Sequence, residues 1–426
     1  MNVRLPLASA RRAVCGVLVL LVAWPTIARS ASLSMETAVA LAAERSRLVA
    51  SASAQSRAAS ELAVAAGQRP DPVLRLGLNN LPIDGPDRFS VTRDFMTMRS
   101  VGVMQELTRA DKRAARVERA ERNVALADVG RKQAVAEVQR DAALAWLDRS
   151  FAESMRDQLR RQIEQAQQQV QAAEALYRSS RGSQTEVFTA RGDLEGLRDR
   201  LDETEREIDV ATVRLARFVG DVAKEPLTSR PAFALAADDA LPIERTLVVA
   251  ERLSQENAAL AEARVTDAER RSDWSVELML SQRGPAYSNM VSINLSVPLQ
   301  WDQKNRQDRE HAARLAMLDE ARARLEDAER AVEADIRASQ AAWRNQERRL
   351  RRHDEALLPL AEQRSAAALA AYAAGSGSLA GVLEARRNAL QVHLDRLRIE
   401  ADIARLWAQL TFLMPQDGPT TSRTAP

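Results

Sequence analysis

The 426-residue sequence has one cysteine, three histidines, 4% aromatic residues, and only 15 glycines and 15 prolines. Each scarcity excludes something. A single cysteine cannot form an intrachain disulfide. Cys15 also opens an apolar run rather than following one, so it does not suit lipid attachment. His311, His353 and His393 fall on separate helical stretches without metal-ligand spacing. The sequence contains no Gly-x-Ser-x-Gly and no phosphate loop. The expectation is a non-enzyme with no cofactor and no metal site. So few large side chains exclude a thick globular core and favour Ala- and Leu-based seams between long helices. Beyond residue 30 no apolar run approaches the ~20 residues of a membrane helix. If this chain enters a membrane, it does so as β-strands.

Residues 1–30 have the form of a secretory signal. Arg4, Arg11 and Arg12 form its positive region, and Ala13 to Ala23 is an apolar run too short to span a bilayer. Ala28-Arg29-Ser30 and Ser30-Ala31-Ser32 both offer small residues for cleavage. Removing residues 1–30 leaves 57 basic against 59 acidic residues. That balance gives no electrostatic case for nucleic acid.

What is present is a repeat. Tyr177, Gly182-Ser183, Val187 and Ala190-Arg191 recur as Tyr372, Gly377-Ser378, Val382 and Ala385-Arg386, 195 positions on. Each copy interrupts a helical pattern with glycine and marks the tip of a helical hairpin. Asp71 recurs as Asp273, 202 positions on, while Leu107 and Lys112 recur as Leu299 and Lys304, 192 positions on. The difference of ten falls inside the strand region, so the first strand loop is about ten residues longer.

The first half, residues 31–220, starts with a helix from Leu33 to about Gly67 that Pro70-Asp71-Pro72 stops. A β-hairpin follows at about 72–107, with Leu74, Leu76 and Leu78 alternating against polar residues and glycine. A helical hairpin fills 108–220. Its return arm carries two heptad series, Val187-Leu194-Leu201-Ile208-Leu215 and Ala190-Leu197-Thr204-Ala211-Phe218. Residues 221–243 form a linker with Pro226, Pro231 and Pro242. The second half, 244–414, repeats the order: a helix, a β-hairpin at about 273–299, and a helical hairpin at about 301–413 with Pro359 as a kink point. Residues 415–426 form a disordered polar tail. Met96, Met98 and Met104 cluster near a strand; they could touch soft metals, though packing is the plainer role.

One apolar face per strand is what a membrane barrel needs, but four strands cannot close a barrel of useful bore. Three chains would give twelve strands. Trp274 and Trp301 flank the second hairpin, where interfacial aromatics sit. A small soluble sheet capping a helical bundle is the other reading.

With its two strand pairs, the strand end Pro298-Leu299 and the duplicated tips, the chain resembles the TolC family of outer-membrane efflux proteins from Leu33 to Met414. The stretch from Leu81-Pro82-Ile83-Asp84-Gly85-Pro86 to Met98 looks like its heavy-metal, CzcC-like branch. The resemblance implies a fold that is mostly α with a small membrane β part. It implies a homotrimer with a twelve-stranded β-barrel in the outer membrane of a Gram-negative bacterium and a long coiled-coil α-barrel in the periplasm. It implies three further partners: a periplasmic adaptor, an inner-membrane pump of the resistance–nodulation–division type, and outer-membrane lipid. The channel would pass heavy-metal cations such as cobalt, zinc and cadmium. Acidic residues past the tips line the family's constriction, and here Glu186 and Glu384 stand at such positions, with Gly381 where the second copy would carry the counterpart of Glu186. Arg181, Gly182, Ser183, Gly375, Ser376 and Gly377 are the adaptor-contact residues that the resemblance implies. A duct for drugs or for type I secretion is the rival within the family. A periplasmic adaptor is the remote alternative, because adaptors normally carry one helical hairpin.

Overall fold

The computed structural model describes residues 32–233 and 242–415. The signal segment with Cys15, part of the linker and the tail beyond Pro415 lie outside the described residues. The chain runs α1 (Met35–Arg45), α2 (Arg47–Ala66), β1 (Val73–Asn79), β2 (Met98–Leu107), α3 (Ala110–Arg178) and α4 (Gln184–Val219). The second half runs α5 (Leu247–Glu269), β3 (Trp274–Gln282), β4 (Met290–Ser296), α6 (Gln307–Arg352), α7 (Leu358–Ala373) and α8 (Leu379–Thr411).

The expected first helix is two helices. Ser46 takes extended geometry between them, and its hydroxyl accepts from the Val49 N–H, so a local cap outweighs continuation. The expected helical start at Trp301 moves to Gln307. Asp302 holds the intervening turn: its carbonyl accepts from the Asn305 N–H at 3.2 Å and its carboxylate from Asn305 Nδ2 at 2.8 Å. Around Pro359 the chain forms a π-helical turn, His353–Leu357, in which the Leu358 N–H reaches back five residues to the His353 carbonyl. Proline removes a donor and crowds the preceding turn, and an inserted residue relieves that crowding. The linker also has structure. Residues Gly220–Lys224 form a 3-10 turn, and Leu33 bridges to Leu227.

α3 is 69 residues long, about 104 Å at 1.5 Å per residue. Its core lies midway. Trp146 is fully buried and donates its indole N–H to the Leu33 carbonyl at 3.0 Å, among Leu147, Leu215, Val219 and Ala404. The heptad series of α4 is buried at Val187, Ala190, Leu194, Leu197, Thr204, Ala211 and Leu215. The return arm of the second hairpin is expected to carry the series Ala385-Val392-Ile399-Leu406-Leu413 and Val382-Ala389-Arg396-Ile403-Leu410, but α8 leaves Ala389, Val392, Arg396 and Leu406 only half-buried. Besides Val382, Ala385, Ile399, Ile403 and Leu410 it buries Leu383, Leu390, Leu394, Ala401, Ala404 and Ala408. Leu390 and Leu394 pack with Leu159 and Ile163 of α3, which ties the two halves together.

The four strands form one antiparallel sheet in the order β1-β2-β3-β4. The two hairpins meet through β2 and β3, with Val101 opposite Leu280 and Leu107 opposite Trp274. The longer first loop, residues 80–97, folds back over the second turn. At Gly284 a Cβ would stand 1.8 Å from the Thr92 carbonyl oxygen, so no other residue fits that approach.

Candidate functional site

The sheet is inside out. Register puts Leu74, Leu76, Leu78, Val101, Val103, Leu278, Leu280, Val291, Ile293 and Leu295 on one face, and that face is exposed, with Leu76 at 75% and Ile293 at 72%. The opposite face carries Arg75, Ser100, Glu277, Ser281 and Asn294, and Ser100, Glu277 and Ser281 are buried. A water-soluble sheet does the reverse. Trp274 and Trp301 flank the helical end of the apolar face, at 52% and 88% exposure. Among the described residues no helix is long and apolar enough to cross a membrane.

A tight ion pair closes the sheet–helix junction. Lys112 Nζ lies 2.6 Å from Asp273 Oδ2, and the Arg109 N–H donates to Asp273 Oδ1 at 3.0 Å. Burial alone would raise the Asp273 carboxyl. The Lys112 and Arg109 hydrogen bonds outweigh it, and the group sits below its ordinary value. The pair joins the halves, since Lys112 opens α3 and Asp273 precedes β3.

The two tips share one turn. Ser180 and Gly375 both take positive φ, 58° and 76°. Arg181 and Gly182 both donate to the Leu176 carbonyl, and Ser376 and Gly377 both donate to the Ala371 carbonyl. A Cβ on Gly377 would meet the Tyr372 nitrogen at 3.0 Å, and one on Gly182 would meet Leu176 Cβ at 3.1 Å. The tips touch each other through Val187 and Ala190 against Leu379 and Leu383. Tyr372 faces this contact, and burial first, then the Glu186 charge, raises its hydroxyl.

The copies diverge after the turn. Ser183 and Glu186 form a full capping box: the Ser183 N–H donates to Glu186 Oε2 at 2.9 Å, and the Glu186 N–H donates to Ser183 Oγ at 3.2 Å. Ser378 caps the Gly381 N–H, but Gly381 has no carboxylate to answer. Glu384 is exposed and pairs with Arg364 Nη2 at 3.0 Å. The repeated arginines also part company. Arg191 bonds Glu174 in its own hairpin, while Arg386 reaches Gln169 of α3, whose amide oxygen can accept from Arg386 Nε at 2.8 Å.

Asp193 becomes distinct only in the folded chain. It is largely buried between α4 and α8, where burial raises its carboxyl against the opposing charges of Arg387, 3.3 Å away, and Arg200. Nothing in its sequence context separates it from a solvated helix charge. The histidines have separate neighbours: Thr266 for His311, the Arg349 carbonyl for His353 and Glu362 for His393. Among the described residues no group of three His, Cys, Asp or Glu side chains is placed to hold a metal ion.

No family model and no curated protein matches the sequence. Solved structures do match it. The outer membrane protein VceC of Vibrio cholerae superposes at a TM-score of 0.75 and 16% identity, over 89% of this chain and 95% of that one. The chain has the TolC-like fold. CusC, solved in a study of transmembrane channel formation, gives 0.77 at 14% identity over 90% and 92%. The CmeC outer membrane channel of Campylobacter jejuni gives 0.73 at 13% over 89% and 85%. The long helices and small sheet of the TolC-like fold are thus present along nearly the whole described chain.

Proposed function

We propose that three copies of this chain form a channel in the outer membrane of a Gram-negative bacterium, as the outlet of a tripartite efflux system. The observation that carries this reading is the inside-out sheet with two open edges, β1 and β4. Lipid suits its apolar face, but an open edge in lipid leaves backbone groups unpaired. Ring closure with further copies, β4 of one beside β1 of the next, satisfies both. The polar face then lines the lumen. The unpartnered apolar residues of α2, Leu62 and Val64 at 68% and 66% exposure, fit the same arrangement, because neighbouring helices would cover them.

In this reading residues 1–30 direct export, and the two helical hairpins extend into the periplasm. Their tips, Arg181, Gly182, Ser183, Gly375, Ser376 and Gly377, meet a periplasmic adaptor coupled to an inner-membrane pump of the resistance–nodulation–division type. Glu186 and Glu384 each become a ring of three carboxylates that favours cations. The cargo in this reading is a heavy-metal cation such as cobalt, zinc or cadmium, which the likeness of the stretch from Leu81 to Met98 to the heavy-metal branch supports. The test is survival of a deletion strain across zinc, cadmium, cobalt, copper and silver. Increased killing by one or more metals, restored by the gene, is expected. Wild-type tolerance of all five would overturn the metal reading.

A further inference from the structure

We infer that the polar face of the sheet holds a site for a soft monovalent cation, Cu(I) or Ag(I), built from Met104, Met279 and Glu277. It rests on the reading of that face as the channel lining, and it narrows the cargo from heavy metals in general to soft ones.

Among the described residues four methionines lie in strands, Met98, Met104, Met279 and Met290. Register places all four on the polar face, among Ser, Gly, Asn, Arg and Glu. None stands among the Leu, Val and Ile of the apolar face. Methionine serving as apolar filler would be on the other side. Met104 of β2 is directly opposite Glu277 of β3. Met279 lies two residues further along β3 on the same face, and Met290 takes the next step on β4. The three form a diagonal stripe over adjacent strands. Directly opposed Cβ atoms lie about 5 Å apart and diagonal neighbours about 7–8 Å, within reach of long unbranched side chains.

Glu277 supplies charge. It is 8% exposed, and its Oε2 accepts from Asn294 Nδ2 at a long 3.3 Å. Among the described residues its buried Oε1 has no hydrogen-bond donor, and Arg75 Nε stands 3.5 Å away. The same guanidinium donates from Nη2 to Met104 Sδ at 3.1 Å. A positive group therefore already sits between one thioether and one buried carboxylate. Arg75 is opposite Gly102, which presents no side chain to confine it, and its own side chain is 51% exposed. It can withdraw into a water-filled lumen and leave its place to a metal ion. Thioether sulfur selects soft Cu(I) and Ag(I) over ions that prefer oxygen. A site with a tethered competitor binds and releases, as a conduction pathway requires.

The test uses the full chain with Cys15→Ser, so that no thiol competes, and Ag(I) as the redox-inert probe. Binding is measured by titration calorimetry and sulfur ligation by X-ray absorption. The expected result is a sulfur shell around bound silver. Met104→Leu with Met279→Leu, a volume-conserving pair of changes, lowers affinity at least tenfold and removes that shell. Met155→Leu with Met317→Leu does neither. Arg75→Gln raises affinity several-fold by removing the competitor. An unchanged sulfur shell in the Met104/Met279 variant overturns the site, as does unchanged silver affinity in Arg75→Gln. Conductance in planar bilayers is recorded for every variant. Pores without thioether-bound silver overturn the site alone. Silver binding without pores overturns the channel reading and leaves the site standing.

Discussion

Asp273 shows how one residue fixes a junction. Its carboxylate is held by Lys112 Nζ and the Arg109 N–H where sheet meets helix, and both side chains of the ion pair are nearly buried. Its folded-state pKa lies below the ordinary value. The stabilisation is therefore fully present above about pH 4, the unfolded value, and is lost as pH falls through the lowered folded value. Removing one partner of such a pair costs about 3 kcal/mol. Thermal melts from pH 7 to pH 2 should show Asp273→Asn less stable than wild type at neutral pH, with the two curves converging in acid. Parallel curves over the whole range would contradict this role. At the tips, Ser180 adopts the conformation that Gly375 adopts in the other copy. The repeat thus conserves a turn even where its residue type changes.

Strands carry the prediction at the scale of elements. Asp71 stands to β1 as Asp273 stands to β3, and Lys304 stands to β4 as Lys112 stands to β2. The β2–β3 register, with Val103 opposite Leu278, is the template for a contact between copies. Carried over by the repeat, it sets Leu295 opposite the neighbouring copy's Leu76. Opposed Cα atoms in an antiparallel pair lie about 4.5–5.5 Å apart, within disulfide range. With Cys15→Ser, the double variant Leu76→Cys/Leu295→Cys should give disulfide-linked dimers and trimers on a denaturing gel. Each single variant should not link into trimers. Monomers alone under oxidising conditions would defeat the proposed ring. The strands themselves were legible because side chains alternate with a period of two and the apolar set was unbroken. The heptads of α4 were legible for a similar reason. The additional buried residues of α8 were not, because alanines such as Ala401, Ala404 and Ala408 are as common on solvated helix faces as in tight contacts. The break at Ser46 depends on one hydroxyl, a signal that many mid-helix serines share.

The whole molecule places chemistry at two distant ends, the sheet and the tips. Glu186 and Glu384 were visible as acids after a turn, but their surroundings were not. Glu186 is engaged in its own helix cap, and Glu384 pairs with Arg364. Asp193 was invisible, since its burial arises from packing between halves far apart in sequence. Glu384, the more exposed of the two candidates, should dominate cation selectivity at the constriction. Single-channel recordings should show reduced cation selectivity and weaker divalent block for Glu384→Ala, with a smaller change for Glu186→Ala. Unchanged selectivity in both would remove them from the pore.

The two halves also differ as mechanical parts. α3 is an unbroken strut from the sheet to the first tip. Its counterpart is jointed at His353–Leu357, and below the joint α7 buries only Ala361. A π turn yields more readily than a regular α-helix. Force applied at the tips therefore meets one stiff support and one compliant support in every copy. In a closed ring the stiff and compliant supports would alternate around the axis, and the compliant set would take up the displacement.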